Sequence, residues 1–275
     1  MVAPRKVLWI VLAGLFLLLG LSAQAGPQDV NPVISIIIDD LGYQHKAGLR
    51  ALRLNGDITY AFLPQAPFTR QLAEQAHRQQ KEIMLHLPME SEAENRLGPG
   101  ALTQCMSEME FKNRVRTSLA AVPHVRGFNN HMGSYLTRSP RLMSWLMQAM
   151  MFRDDLYFVD SRTTTETVAQ QEAERRQIAA TRRDIFLDYE RDANIVVEQL
   201  AELVRHARRH GTALAIGHPY SETLSTLEAW LPSLQEQGID LVPVSKLIHL
   251  RQQGRIATWQ LSSFRSPRVV KSSKP

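Results

Sequence analysis

Cysteine is almost absent: Cys105 is the one thiol in 275 residues. A lone thiol closes no internal disulfide and builds no thiolate metal cluster. The fold must therefore rest on packing, and a bound metal must take oxygen and nitrogen ligands. The chain also lacks a Gly-x-Ser-x-Gly elbow and a phosphate-binding Gly-x-x-x-x-Gly-Lys loop. Two common routes to hydrolysis, the activated serine and the nucleotide loop, leave no trace.

Acidic residues are missing after Leu250, where Arg251, Arg255, Arg265, Arg268, Lys271 and Lys274 follow. The formal net charge of +5 is thus largely a property of the C-terminal end. Residues 251–275 are expected to be a solvated, disordered basic tail with weak attraction for anionic envelope polymers or lipids, not a nucleic-acid site. Long apolar runs are scarce too. The one from Val7 to about Leu21 follows Arg5 and Lys6 and precedes Ser22-Ala23-Gln24-Ala25-Gly26. This is the pattern of a secretory signal, with cleavage expected after Ala25 and a periplasmic mature protein; an uncleaved anchor is the alternative.

Between these ends, residues 26–250 read as one α/β domain. Strand-length apolar runs occur near Val33 to Asp39, Ile58 to Phe62, Ile83 to Leu87, Arg126 to Asn129, Leu156 to Asp160, Ala213 to Ile216 and Ile239 to Val242, with a weak one at Ile185 to Leu187. Segments of helical period separate them. Ser107 with Glu110 forms a capping-box pattern, Ser139-Pro140 places a cap before a first-turn proline, and a helix from Asp192 stops at Gly211. The alternation predicts a deformed or incomplete (β/α) barrel of about seven parallel strands, with an open doubly wound sheet as the competing architecture.

The polar residues are not scattered evenly over this pattern. Predicted strands end in Asp39 and Asp40, in His86 and Glu90, in Asn129, Asn130 and His131, in Asp160 and Arg162, and in His218. The carboxyl ends of parallel strands share one face, so these groups are expected to meet. Two adjacent carboxylates repel unless a cation or hydrogen bonds offset them. One aspartate and two neutral imidazoles would hold a catalytic metal with a position left for water, and the second aspartate could take a proton from that water. His206 and His210 have metal-ligating spacing but sit in a basic helix end, where they read as surface groups. His77 reads as surface as well.

The stretches IIIDDLGY, MLHLPME, GFNNHMGS, FVDSRTT and AIGHP, in that order, resemble the divergent polysaccharide deacetylases, a branch of the metal-dependent carbohydrate esterases. The resemblance implies a deformed barrel holding one divalent metal, commonly zinc. It implies Asp39 as the base, Asp40 and His86 as metal ligands, and His218 as the general acid. The family's His-x-x-x-His has Glu90 in its second place here, so the third ligand is either Glu90 or His131, with His131 preferred. Asn130, Asp160 and Arg162, with Glu90, are then assigned to substrate or to orienting the site. The implied activity is removal of N-acetyl groups from an envelope or imported glycan. A catalytically silent protein that binds a glycan or a partner is the alternative.

Overall fold

The computed structural model describes residues 31–93 and 97–263. The expected signal at 1–25 and the last part of the expected tail lie outside them. Among the described residues nine strands form one all-parallel sheet: β1 (Val33–Leu41), β2 (Thr59–Phe62), β3 (Glu82–Met89), β4 (Gly127–Met132), β5 (Tyr157–Asp160), β6 (Ala180–Arg182), β7 (Ile185–Phe186), β8 (Thr212–Gly217) and β9 (Asp240–Leu241). Their order is β6-β5-β4-β3-β2-β1-β8-β7, with β9 short and paired to β1. The two edge strands, β6 and β7, are consecutive in sequence. Arg183 N–H bonds to Asp160 O on one side and Asp184 N–H to Leu214 O on the other. A two-residue link thus spans the gap in a curled sheet, and the result is the incomplete barrel that the alternating pattern predicts. The chain supplies six larger staves and one broken one.

Alternation along each strand divides two cores. Ile34, Ile36 and Ile38 face outward, with Tyr60 and Phe62, Leu85 and Leu87, Phe128, Phe158 and Ala215, into the layer covered by the helices. Val33, Ile37, Ala61, Met84, Val159, Leu214 and Ile216 fill the barrel interior. Each buried Ile, Leu or Phe contributes about 1.5–3 kcal/mol relative to exposure.

The surrounding helices are α1 (His45–Ala51), α2 (Thr69–Arg78), α3 (Glu108–Ala121), α4 (Pro140–Met150), α5 (Ala169–Arg175), α6 (Ala193–His210), α7 (Ser221–Trp230) and α8 (Val244–Ser263). Their ends follow local chemistry. Ser107 and Glu110 make a reciprocal capping box, Ser139 accepts from Leu142 N–H, and Asp192 accepts from Asn194 N–H. Such caps are worth about 1 kcal/mol each. Gly211 ends α6 at φ 80°, a conformation glycine adopts without strain. Among the described residues no helix is long and apolar enough to cross a membrane.

Helix α8 corrects the expected tail. It runs through position 250, and its first turns place Val244, Leu247 and Ile248 in the barrel interior as a plug at the lower, amino-terminal end of the strands. Arg251, expected in the solvated tail, instead reaches Thr212 Oγ1, Thr181 Oγ1 and Asp184 Oδ2 at 3.0, 2.6 and 2.5 Å. It ties the β6–β7 link to β8. Its charge is satisfied by the fold because Asp184 sits at the joint between the two sheet edges.

Candidate metal centre and active site

The upper end of the barrel collects the strand-end polar groups. Positions 33, 35 and 37 of β1 face the interior by alternation, and Asp39 continues that row; Asp40 should point outward. It does not, because β1 carries an extra residue here. Ile38 pairs with Tyr60 and Leu41 with Phe62, so three steps on β1 oppose two on β2. Asp40 absorbs the bulge at φ 58°, in the left-handed region that aspartate tolerates better than most residues. Both carboxylates then reach the same ligand: His86 Nε2 is 3.2 Å from Asp40 Oδ1 and 3.6 Å from Asp39 Oδ2.

Asn129 organises the buried floor. Its Nδ2 donates to both Asp39 oxygens at 2.9 and 3.1 Å, and its Oδ1 lies 2.7 Å from His86 Nδ1. An amide that donates to a carboxylate through nitrogen must accept through oxygen, so His86 Nδ1 carries the hydrogen. When the ring is neutral, its Nε2 lone pair therefore faces the mouth. His131 completes the cluster, with Nδ1 2.9 Å from Asp40 Oδ1 and 3.1 Å from His86 Nε2. One ligand atom from each of Asp40, His86 and His131 falls within 4.8 Å of the others.

Asp40 Oδ1 tests whether these residues fit a metal. It is shielded from solvent and, despite those short distances, has no well-directed hydrogen bond. A buried carboxylate oxygen without a donor is costly. Two imidazole nitrogens crowding the same oxygen are the arrangement a shared cation resolves, and an oxygen with two nitrogens suits zinc or a similar divalent ion. Without an ion, protons serve instead. Burial opposes charge on His86, but Asp39 and Asp40 outweigh it and lift its pKa to about 9. Burial also works to raise Asp40, but the close approach and charge of His131 and His86 hold it far below the usual carboxylate range. Asp39, 2% exposed, is pushed up by burial, which prevails over His86, His218 and Asn129.

His218 stands across the mouth, with Nε2 3.8 Å from Asp40 Oδ2. Asp188 fixes it twice: Oδ2 accepts from the His218 backbone N–H at 2.7 Å, and Oδ1 lies 2.9 Å from Nδ1. Thr223 Oγ1 donates to the same carboxylate at 2.7 Å. Burial opposes the imidazolium, yet the bond and charge of Asp188, with Asp40 and Asp39, raise the His218 pKa.

Three residues expected around the site, Glu90, Asn130 and Asp160, bond to other partners. Glu90 turns to the loop before α3, accepting from Gln104 N–H at 2.7 Å and from Gln104 Nε2 at 3.1 Å. It is not in the ligand cluster; His131 is. Asn130 alternates with Asn129 and so lies outward, donating to Met132 O and accepting from Ser161 N–H. Asp160 continues the outward row of Phe158, and there it accepts from Arg162 N–H, Thr167 Oγ1 and Gln170 N–H. These residues pin loops. The Arg162 side chain makes no hydrogen bond or ion pair among the described residues, and Arg162 O accepts from Arg183 Nη2. One organising residue, Asp188, escaped the sequence reading, and Asn129 was named there only as a strand-end polar group, with no role in the site. Asn129 was open to detection by parity with Phe128; Asp188 follows a strand of two residues and gives almost no local signal.

Comparison with known proteins identifies the family and the fold. The sequence pattern of divergent polysaccharide deacetylases matches residues 36–248. The chain belongs to that family. Its relatives include an uncharacterized protein of Haemophilus influenzae, 36% identical over 214 residues that make up 78% of this chain and 76% of the relative. The uncharacterized protein YibQ of Escherichia coli is 32% identical over 249 residues, 88% of this chain and 77% of YibQ. Among solved structures, uncharacterized protein ATU2773 of Agrobacterium tumefaciens superposes with a TM-score of 0.76 at 22% identity, covering 81% of this chain and 91% of that one. A mutant of BA3943, described as a CE4 family pseudoenzyme with restored enzymatic activity, superposes at 0.51 with 16% identity over 79% of this chain and 68% of its own. These structural likenesses establish the shared fold.

Proposed function

We propose that this protein is a periplasmic metal-dependent hydrolase that removes N-acetyl groups from an envelope or imported glycan. The observation that carries the reading is the convergence of Asp40, His86 and His131 beside a buried Asp39 and an Asp188-bound His218. Asp40, His86 and His131 would hold a divalent metal, zinc being the best match to the donors, and such an ion supplies carbonyl polarisation and a more acidic water. Asp39 takes the proton of the attacking water. Its burial makes it a stronger base than a surface aspartate, and Asn129 holds its oxygens in place. His218 gives a proton to the departing amine; its raised pKa keeps a proton available near neutrality. Asp188 sets the ring so that Nε2 faces the mouth.

A glycan suits the rim. Tyr43, Tyr135, Tyr189 and Tyr220 each follow a strand at this end of the barrel, and the first three expose 46, 39 and 52% of their surface. Flat faces of this kind accept the C–H faces of sugar rings while the hydroxyls reach polar neighbours.

Acetate release from N-acetylated oligosaccharides, measured with metal content on untagged protein, tests the proposal. One equivalent of metal in the native protein, lost in Asp40→Ala and in His86→Ala, is expected. Asp39→Asn should keep the metal and lose at least about 100-fold in turnover. A second reading, a silent glycan- or partner-binding protein, draws on Glu90 in the place of the family's second histidine, and on the BA3943 pseudoenzyme as a structural neighbour. Full metal occupancy with no acetate from any N-acetylated glycan would select it.

A further inference from the structure

Beside the Asp40–His86–His131 cluster lies a cavity of about 570 Å³ whose wall includes Asp40, His131, Tyr43, Arg191, Tyr220 and Glu222. Among the described residues, Arg191 is the one basic side chain in that wall apart from the histidine. Its guanidinium carbon sits 3.9 Å from the centre of the Tyr220 ring, and it forms no ion pair or hydrogen bond among the described residues. A guanidinium resting on an aromatic face is held in position while its in-plane N–H groups stay free. A second observation points the same way. Helix α7 begins at Ser221 in the same wall, and its cap residue, Tyr220, supplies no side-chain acceptor. The first-turn N–H groups and the positive end of the helix dipole therefore border the cavity as well. Glu222 lies in that first turn, where a carboxylate is favoured, and it does not pair with Arg191.

We infer that Arg191, Tyr220 and the start of α7 form a subsite for a carboxylate, so that the glycan taken at this site is an acidic one. The inference rests on the reading of the neighbouring cluster as a glycan deacetylase site and narrows its substrate class. The sugar bearing the acetamide sits over the Asp40–His131 cluster, and a carboxylate on that sugar or its neighbour meets the Arg191 fork. Tyr220 links the two regions, since its ring also stacks on His218 at 5.3 Å and 25°. Arg191 acts in substrate positioning and takes no part in bond breaking.

The probes are an N-acetylhexosamine oligosaccharide bearing carboxylates and the same oligosaccharide with those carboxylates converted to methyl esters. Both are titrated calorimetrically into the full-length native protein, Arg191→Ala and Arg191→Lys, and acetate release is followed in parallel. The native protein should bind the acid form at least about tenfold more tightly than the ester, as expected for a charge-assisted bidentate bond. Arg191→Ala should abolish that preference without weakening ester binding, and Arg191→Lys should restore only part of it. Where acetate is released, the change should fall on KM and leave kcat near native. Arg191-dependent preference for the acid with no acetate from either probe would uphold the subsite and overturn the deacetylase reading. Acetate release from both probes with equal KM in native protein and Arg191→Ala would overturn the subsite alone. Failure to bind either probe would also overturn it.

Discussion

The two ends of this barrel bury carboxylates in opposite ways. At the lower end, Glu82 Oε1 accepts from Thr59 Oγ1 at 3.0 Å, Tyr157 Oη at 2.9 Å and Ser245 N–H at 3.2 Å. Val244 N–H bonds to Thr59, so the start of α8 is latched to the same group. At the upper end, Asp39 has one amide for its two oxygens, and Asp40 Oδ1 has no directed donor at all. The lower carboxylate completes a closed network, and its negative charge meets the positive end of α8. The upper pair leaves electrostatic demand unmet, which is what a site for a cation and a reacting water requires. Burial alone does not distinguish stability from chemistry; the state of the hydrogen-bond inventory does.

Replacing the organiser of the upper end should have the largest effect. Asn129→Leu removes the bonds to both Asp39 and His86, and metal affinity should fall about 10- to 100-fold by competition titration with a chelating dye. The melting temperature of the metal-free protein should change far less than this affinity. The mirror experiment is Glu82→Ala, which strands the hydroxyls of Thr59 and Tyr157. It should cost about 1–3 kcal/mol in denaturant unfolding and leave metal stoichiometry at the native value. If Glu82→Ala also emptied the metal site, the two ends would not be separable as drawn.

Protons give a smaller and signed test. The metal-free cluster carries its proton on His86 below a pKa of about 9, and a protonated imidazole cannot ligate. Apparent metal affinity should therefore rise with pH by about tenfold per unit until near pH 9, then flatten. Asp188→Asn removes a bond and a charge that favour the His218 imidazolium. The alkaline limb of the acetate-release profile should consequently move to lower pH. A limb that stays in place would assign it to a group other than His218. The smallest effect is expected at Glu90. Glu90→Gln should alter metal content by less than about twofold, since its carboxylate serves Gln104 and not the cluster.

Much of this site could be read in one dimension because parallel strands deliver their carboxyl ends to one face. Asp39, Asp40, His86, His131 and His218 were each visible as a polar break after an apolar run, and the tertiary structure brings all five together. Alternation separated true from false neighbours by a single residue. Asn129 shares the interior row with His131, whereas Asn130 and Asp160 share the outward row with Phe128 and Phe158 and became loop fasteners. Asp188 was invisible for another reason. Its strand, β7, has two residues, and its register comes from β8. Arg251 was misread as tail because its partners, Thr181, Asp184 and Thr212, lie far back in the chain.

By itself the amino-acid order determined most of the strand pattern, though not β6, together with the parallel class and the pool of candidate ligands, since hydrophobic period and strand-end polarity are local quantities. The choice within that pool belonged to the tertiary structure. Only the bulge at Asp40 turns two adjacent carboxylates toward one mouth, only the β6–β7 link brings Asp188 beside His218, and only packing shows that Glu90 faces a loop. Direction and distance between side chains from separate strands are set by how the sheet curls, and no single segment encodes that curvature.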